Sequence, residues 1–531
     1  MKRHLFLALS AALLFSLAAC GSGDGETSQS QADTSQASEQ STQEEAVEIS
    51  QGGTVNIPVA SEPTTLLGWR MRNTTENLIA SVMYETILRM GEDGEPYPYL
   101  VESFEEDPEA LTYTMTLRDG VTFHDGSTLD AETLAWNIEN YMENGILTSS
   151  FYNDVESVEV VDDETVVVHM AEWDSLFPYA LTRTCHITSK VAYDTGGEEG
   201  MAEKPIGTGP FRFSQWNHGV GLEFIRFDDY WQGVPNLDGV NVMIYGNDLI
   251  SQASMEAGEL QLMQTYDYSI ADTMAANGYT VTQSVLPATA YTMCYSSANE
   301  GSPFANEDVR KAVSYAIDGQ AIIDTLCAGY GEVSNQWALP GMGQYNDEMG
   351  SYDYDPEMAR RLLADAGYAD GFETTITFQT QSIIQDTAQI LAEQLAAVGI
   401  EVTLNPIEMA NYASQIGQWD GILLHPMNVY NTQYSQMAAC FVQGIESGLG
   451  VQSFLHLDDI NEAIMTGRSS SGEEANSSFR SAVNLVFYEH CLVKPVFVVR
   501  GVTISVPTLH DANFDEVAVN NNTLWQAWLE A

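Results

Sequence analysis

The sequence predicts an α/β protein built from two or three interleaved lobes, and three observations carry that prediction. Apolar residues alternate with threonine in Leu111-Thr112-Tyr113-Thr114-Met115-Thr116-Leu117, the period-two pattern of a half-buried strand. A helical stripe of Ile390, Leu391, Leu395 and Val398 ends at Gly399 and runs into the strand pattern Ile400-Glu401-Val402-Thr403-Leu404, a helix–glycine–strand order that suits an α/β lobe. About 480 residues follow a polar N-terminal stretch, too many for one hydrophobic core. No internal repeat occurs and no linker is long enough to separate independent domains.

The N-terminus reads as an address. Lys2 and Arg3 precede an apolar stretch over residues 5–19 that carries no charge. It is shorter than the roughly 20 residues a spanning helix needs, and so fits the core of an export signal over residues 1–19. Leu17-Ala18-Ala19-Cys20-Gly21 then resembles a bacterial lipobox, which makes Cys20 the expected lipidation site and new N-terminus. Residues 20–50 are Ser, Gln, Glu, Gly and Thr with almost nothing apolar, so they predict a disordered tether. Two acyl chains would hold such a tether to the outer face of the cell membrane, or on the periplasmic side.

The elements follow in order. Residues 53–59 alternate as a strand, and a helix-like run goes from Thr75 through Val82, Met83 and Leu88 to Gly91. The Leu111 strand turns at Arg118-Asp119-Gly120 into 121–123, which predicts a hairpin. Asp130 is placed to cap a helix bearing Leu134, Ile138 and Tyr141, stopping near Gly145. A second hairpin spans 158–170 with Asp162-Asp163 at its tip. Asn306 caps a helix whose buried face is Val309, Ala312, Val313, Ala316 and Ile317, and Asp355-Pro356 opens another that Gly367 closes.

Composition excludes several classes. With 75 acidic residues against 19 basic ones, the chain repels a phosphate backbone, so no nucleic-acid partner is expected. The acidity itself reads as a solvated surface or as a field that steers cationic ligands. Five cysteines beyond Cys20 (Cys185, Cys294, Cys327, Cys440, Cys491) are widely spaced; the sequence leaves open whether any of them pair, in one or two disulfides or none. No CxxC pair, HExxH, G-x-S-x-G or carboxylate dyad is present, so no metal is held directly, no cofactor is called for and no enzyme is expected. A G-x-x-x-x-G-K-[ST] loop is absent, so any transport motor lies on another chain.

An ordered set of motifs identifies a family. Tyr113 to Gly126 (YTMTLRDGVTFHDG) with Asp130-Ala131-Glu132, Pro205-Ile206-Gly207-Thr208-Gly209-Pro210-Phe211, Tyr230-Trp231, Val309-Arg310-Lys311-Ala312 to Asp318, Leu362-Leu363 to Tyr368, and Gly399-Ile400-Glu401-Val402 cover nearly the whole chain after the tether. Together they resemble the family 5 extracellular solute-binding proteins of ATP-driven importers, the oligopeptide-, dipeptide- and nickel-binding group. Taken alone they are scaffold: His124 sits in a turn, and Gly207-Thr208-Gly209-Pro210 is a tight crossover and not a nucleotide loop.

The resemblance implies a bilobed periplasmic-binding-protein-like clamp with discontinuous lobes that close on solute by hinge motion. The first lobe would be 51–92, 205–290 and 495–531, an extra small domain 93–204, and the opposite lobe 291–494. The implied solute is a small peptide or peptide-like molecule, passed to permease and ATPase subunits. In peptide-binding relatives an acid in the opposite lobe pairs with the terminal amine, but the corresponding stretch here, 420–431, offers only Asp420, which opens the strand. The alternative is a nickel or metal-chelate binder, because His425 matches a histidine of that branch while Asn428 replaces its tryptophan. Arg183 in Leu181-Thr182-Arg183 matches an arginine that meets chelate carboxylates there, a task suited to a guanidinium. Tyr430 follows in the same stretch. Trp69, Arg70 and Arg72 follow the loop Glu62-Pro63-Thr64-Thr65-Leu66, which faces the cleft in relatives, and are expected as further ligand-binding residues. A ligand-sensing receptor and a secreted hydrolase are the remaining classes.

Overall fold

Strand pairing in the computed structural model divides the chain into four sheets of three or more strands. The structure describes residues 49–71, 74–146, 149–284, 286, 289–428, 433–442, 451–512 and 524–530. Cys20, Arg72 and Tyr430 lie outside these, and of Asn428 only the backbone is described.

The first sheet orders Thr54–Val59, Gly239–Ile244, Gly221–Arg226 and Phe211–Asn217, with a parallel first pair and antiparallel remainder. Its core joins Val55 and Ile57 to Phe211, Leu222, Val240 and, from the far end of the chain, Leu509 and Trp528's neighbour Ala527. The second sheet, Val101–Asp107, Thr112–Leu117, Thr165–Met170 and Val155–Val160, is wholly antiparallel. It packs on the helix Ala131–Asn144 through Leu134, Ile138 and Tyr141. A three-stranded antiparallel sheet sets Val502–Ser505 between Leu262–Thr265 and Thr280–Gln283. The largest sheet orders Gly331–Glu332, Val493–Val499, Thr289–Tyr295, Ile422–Asn428, Phe372–Gln379 and Ile400–Ile407. Within it the last three strands run parallel. Helices cover both of its faces and give two separate cores.

Local signals place several helix starts. Asp130 accepts from the Thr133 amide and Asn306 from that of Asp308, while Asp355 accepts from Glu357 and Met358. Each aspartate or asparagine satisfies amides that the first helical turn leaves without partners. Gly207 and Gly209 let the crossover lie directly on the end of the first helix: a Cβ would come to 2.2 Å from the Met83 carbonyl oxygen at Gly207, and to 2.7 Å from the Met83 carbonyl carbon at Gly209. His124 serves this crossover, with Nε2 2.9 Å from the Gly209 carbonyl; burial lowers its pKa to about 4.

Two expectations need correction. The helix near residue 75 is Thr74–Met83, and Leu88–Met90 is instead a short strand paired with Pro96–Pro98. The chain leaves the helix because Glu85 turns inward to take hydrogen bonds from Tyr99, Tyr230 and Trp231. Residues 121–123 do not pair back on Thr112–Leu117, because both edges of that strand are already taken by Val101–Asp107 and Thr165–Met170. Val493–Val499 belongs to the six-stranded sheet, and the chain leaves that sheet at Arg500 and Gly501. The disulfide question that the sequence leaves open is answered for the described residues: all five described cysteines are buried free thiols.

Candidate functional site

The backbone passes between the three-stranded and six-stranded sheets twice, after Gln283 and at Arg500 and Gly501. These crossings run side by side, tied by the Ser284 amide to the Gly501 carbonyl at 2.8 Å. Arg500 braces them, donating from Nε to Glu332 at 2.8 Å and from Nη1 to the Ser284 carbonyl at 3.4 Å. Thr289, just past the first crossing, pairs with both Val499 and Asn428. The carboxyl ends of the parallel strands therefore open beside the crossings, where α/β sheets characteristically receive ligands.

Side chains from several parts of the chain meet there. Met90 and Leu286 form a small apolar cluster, with Tyr179, Tyr266 and Met342 packed on it. Beside it, the Tyr179 hydroxyl donates to Glu95 Oε2 at 2.5 Å. Burial pushes the Glu95 carboxyl above its ordinary range, Asp93 adds to this, and the tyrosine bond opposes it. Glu95 also abuts Gly343, far along the chain, where a Cβ would come within 2.4 Å of Oε1. Among the described residues no Lys, Arg or His forms an ion pair with Glu95. Burying a carboxylate without a cation is costly, and the raised pKa expresses that cost.

Arg183 lies half-buried in the turn after Phe177–Leu181, four residues beyond Tyr179. Its charge adds to the burial that lowers His186 to about 4. His425 is half-buried on the face of its strand that carries Leu423 and Met427, in the core with Tyr412 and Ile416. Its Nδ1 lies 2.8 Å from the Tyr412 hydroxyl and the two rings stack at 5.7 Å, so this histidine has a structural partner. Burial holds it neutral, with a pKa of about 4.

The other expected residues lie elsewhere. Trp69 is 1 % exposed and locked edge-on against Trp136 and Tyr141, with Tyr193 beside it; it belongs to the core between the second sheet and the helix Ala131–Asn144 and offers no surface to a solute. Arg70 is held by Glu198 at 2.8 Å. Asp420 accepts from Asn299, Ser296 and the Gly421 amide at the opening end of Ile422–Asn428. That end is about 20 Å of extended chain away from the carboxyl end. Glu95 was not foreseen, since a glutamate between glycine and proline in a turn looks like any exposed hairpin tip.

Residues 95–446 match the bacterial extracellular solute-binding proteins, family 5 (middle region), about two-thirds of the chain. The chain belongs to this family. The glutathione-binding protein GsiB of Salmonella paratyphi A is 29% identical over 369 residues, covering 68% of this chain and 71% of the relative. Two solved folds cover almost all of the described body. The oligopeptide-binding protein AppA of Bacillus subtilis, in complex with a nonapeptide, superposes with a TM-score of 0.71 at 20% identity, covering 91% of this chain and 100% of that one. NikA of Brucella suis, in complex with Fe(III)-EDTA, gives 0.78 at 20% identity, covering 89% and 99%. The family 5 fold is thus a bilobed α/β clamp, as the sequence predicts, and the family is one that binds substrate. No helix among the described residues is long and apolar enough to cross a membrane.

Proposed function

We propose that this family 5 protein captures a small zwitterionic peptide or peptide-like solute and delivers it to the permease of an ATP-driven importer, tethered outside the membrane through a lipidated Cys20. One observation carries the choice of solute: Glu95 is a half-buried carboxylate beside the crossings with a tyrosine for company and, among the described residues, no cation paired with it. A ligand ammonium placed there supplies the missing charge and recovers the cost of burying the acid. Arg183, on the same turn-and-helix segment as Tyr179, is then the partner for a ligand carboxylate, which a guanidinium can grip with two parallel hydrogen bonds. The small domain thereby takes over the amine contact that Asp420 is too far away to make. The glutathione-binding name of the GsiB relatives points the same way, since glutathione is a short peptide with one ammonium and two carboxylates.

The test is calorimetric titration with reduced glutathione and trialanine, each also as its N-acetylated form. The expected result is that acetylation weakens binding by about tenfold or more, as losing a charge-assisted contact should. Equal affinity of free and acetylated ligands would remove Glu95 as the amine partner. The second reading, a metal chelate, rests on Arg183 and on the NikA likeness; it is favoured if an Fe(III)-EDTA or nickel–histidine chelate binds while both peptides do not. For the tether, the mass of the membrane-extracted protein should show residues 1–19 lost and a diacylglyceryl group on Cys20.

A further inference from the structure

We infer that residues 173–176 of the small domain and Arg468 of the opposite lobe form a latch that keeps the clamp closed before any solute arrives. The helix Asp458–Ser469 ends with its last carbonyls facing the small domain. The carbonyls of a helix's final turn lack intrahelical partners. Here the small domain supplies them: the Ser175 amide donates to the Arg468 carbonyl at 2.8 Å, Ser175 Oγ to that of Gly467 at 3.0 Å, and Trp173 Nε1 to that of Ser470 at 2.9 Å. Across the same seam the Arg468 guanidinium grips Asp174 with two bonds, 3.1 Å from Nε and 2.6 Å from Nη2, and reaches Asp154 at 3.1 Å. Leu176 completes the contact by burying its side chain in the opposite lobe's core with Trp337, Leu339 and Leu423.

The latch is preformed on one side. Trp173 stacks on Tyr113 at 4.5 Å, and the Tyr113 hydroxyl donates to the Asp174 carbonyl at 2.8 Å. Asp174 Oδ1 also accepts the Leu176 amide at 3.1 Å, which fixes the carboxylate in place. The small domain therefore presents a rigid socket, and Arg468 is the movable plug. Only 18% of the arginine side chain and 12% of that of Asp174 are exposed, so solvent screens this pair far less than a surface bridge. None of these groups is proposed to touch solute. A latch of this kind raises the closed fraction by the same factor for every ligand, because apparent affinity scales with the competent population.

Interlobe distance in the solute-free protein tests this. Spin labels on Val191→Cys, in the small domain, and Tyr354→Cys, in the opposite lobe, report it, since both positions are exposed and the described native thiols are all buried. Pulsed dipolar spectroscopy of the otherwise wild-type chain should show a short-distance closed population. Arg468→Ala should lower the closed-to-open ratio about fivefold. Asp174→Asn keeps an oxygen for the Leu176 amide and should do the same, so it carries the test if Arg468→Ala fails to fold. A wild-type protein that is wholly open without solute, or variants whose distance distributions superimpose on wild type, would overturn the latch. Because no solute is added, this outcome is independent of the peptide reading.

Discussion

Asp174 and Glu95 both meet residues from far along the chain, Arg468 and Gly343, and they are treated differently. Asp174 is met by a guanidinium held in two bonds, and its charge is neutralised within the protein. Glu95 has a tyrosine hydroxyl and an apolar wall, and burial, with Asp93 adding to it, holds its proton more tightly. The contrast teaches how to separate closing from binding. A carboxylate matched inside the fold makes the lobes adhere whatever lies between them. A carboxylate left unmatched discriminates, because its charge is satisfied only by the right ligand.

Four measurements press on this contrast. Glu95→Gln should cost the most, about 2 kcal/mol or roughly thirtyfold in affinity for ligands with a free ammonium, and nothing for their acetylated forms. Arg183→Ala should weaken ligands bearing a carboxylate about tenfold while sparing their amides, as titration of the paired ligands would show. Arg468→Ala should weaken all ligands by one common factor of about five, which marks a shift in closed population and not a lost contact. If its effect differs between ligands, the division between closing and binding fails. Asp420→Asn should leave affinity unchanged, because its bonds to Asn299, Ser296 and Gly421 only tie strand to loop.

The pH dependence separates the same roles. An ammonium at Glu95 requires the ionised carboxylate, whose pKa is raised in the free protein. Affinity should therefore be full above that raised pKa and fall as pH drops through it, and the fall should vanish in Glu95→Gln. Stability follows a second set of groups. His124, His186 and His425 are lowered from 6.5 to about 4 by burial, so the folded state keeps them neutral while the unfolded state takes up protons below 6.5. Stability held at neutral pH should then be lost as pH falls from 6.5 toward 4, with no contribution to the slope from these groups above that window. A melting temperature that is level across it would contradict the buried, neutral assignment.

Features governed by neighbouring residues were legible in the sequence. The caps at Asp130, Asn306 and Asp355 follow from amides two or three positions away, and Gly207 and Gly209 sit where a backbone must approach closely. Features governed by distant partners were not. Arg70 looks available until Glu198 occupies it, and Trp69 looks like a cleft aromatic until Trp136 and Tyr141 enclose it. The turn at Arg118-Asp119-Gly120 promises a hairpin, but the strand before it already has two partners, one of them beginning at Thr165. Glu95 was invisible for the same reason, since its meaning depends on Tyr179 and Gly343. The family motifs name the scaffold; the solute is chosen by pairs that no local window contains.

The paired crossings have a mechanical consequence. A single strand joining two bodies leaves them free to swivel, but two strands bonded edge to edge, Ser284 to Gly501, remove the twist and leave a swing about one axis. Motion along one coordinate gives release a defined direction. A membrane partner that grips both bodies needs only to pull them apart along that axis, and the work it must do is whatever the seam opposite the axis resists.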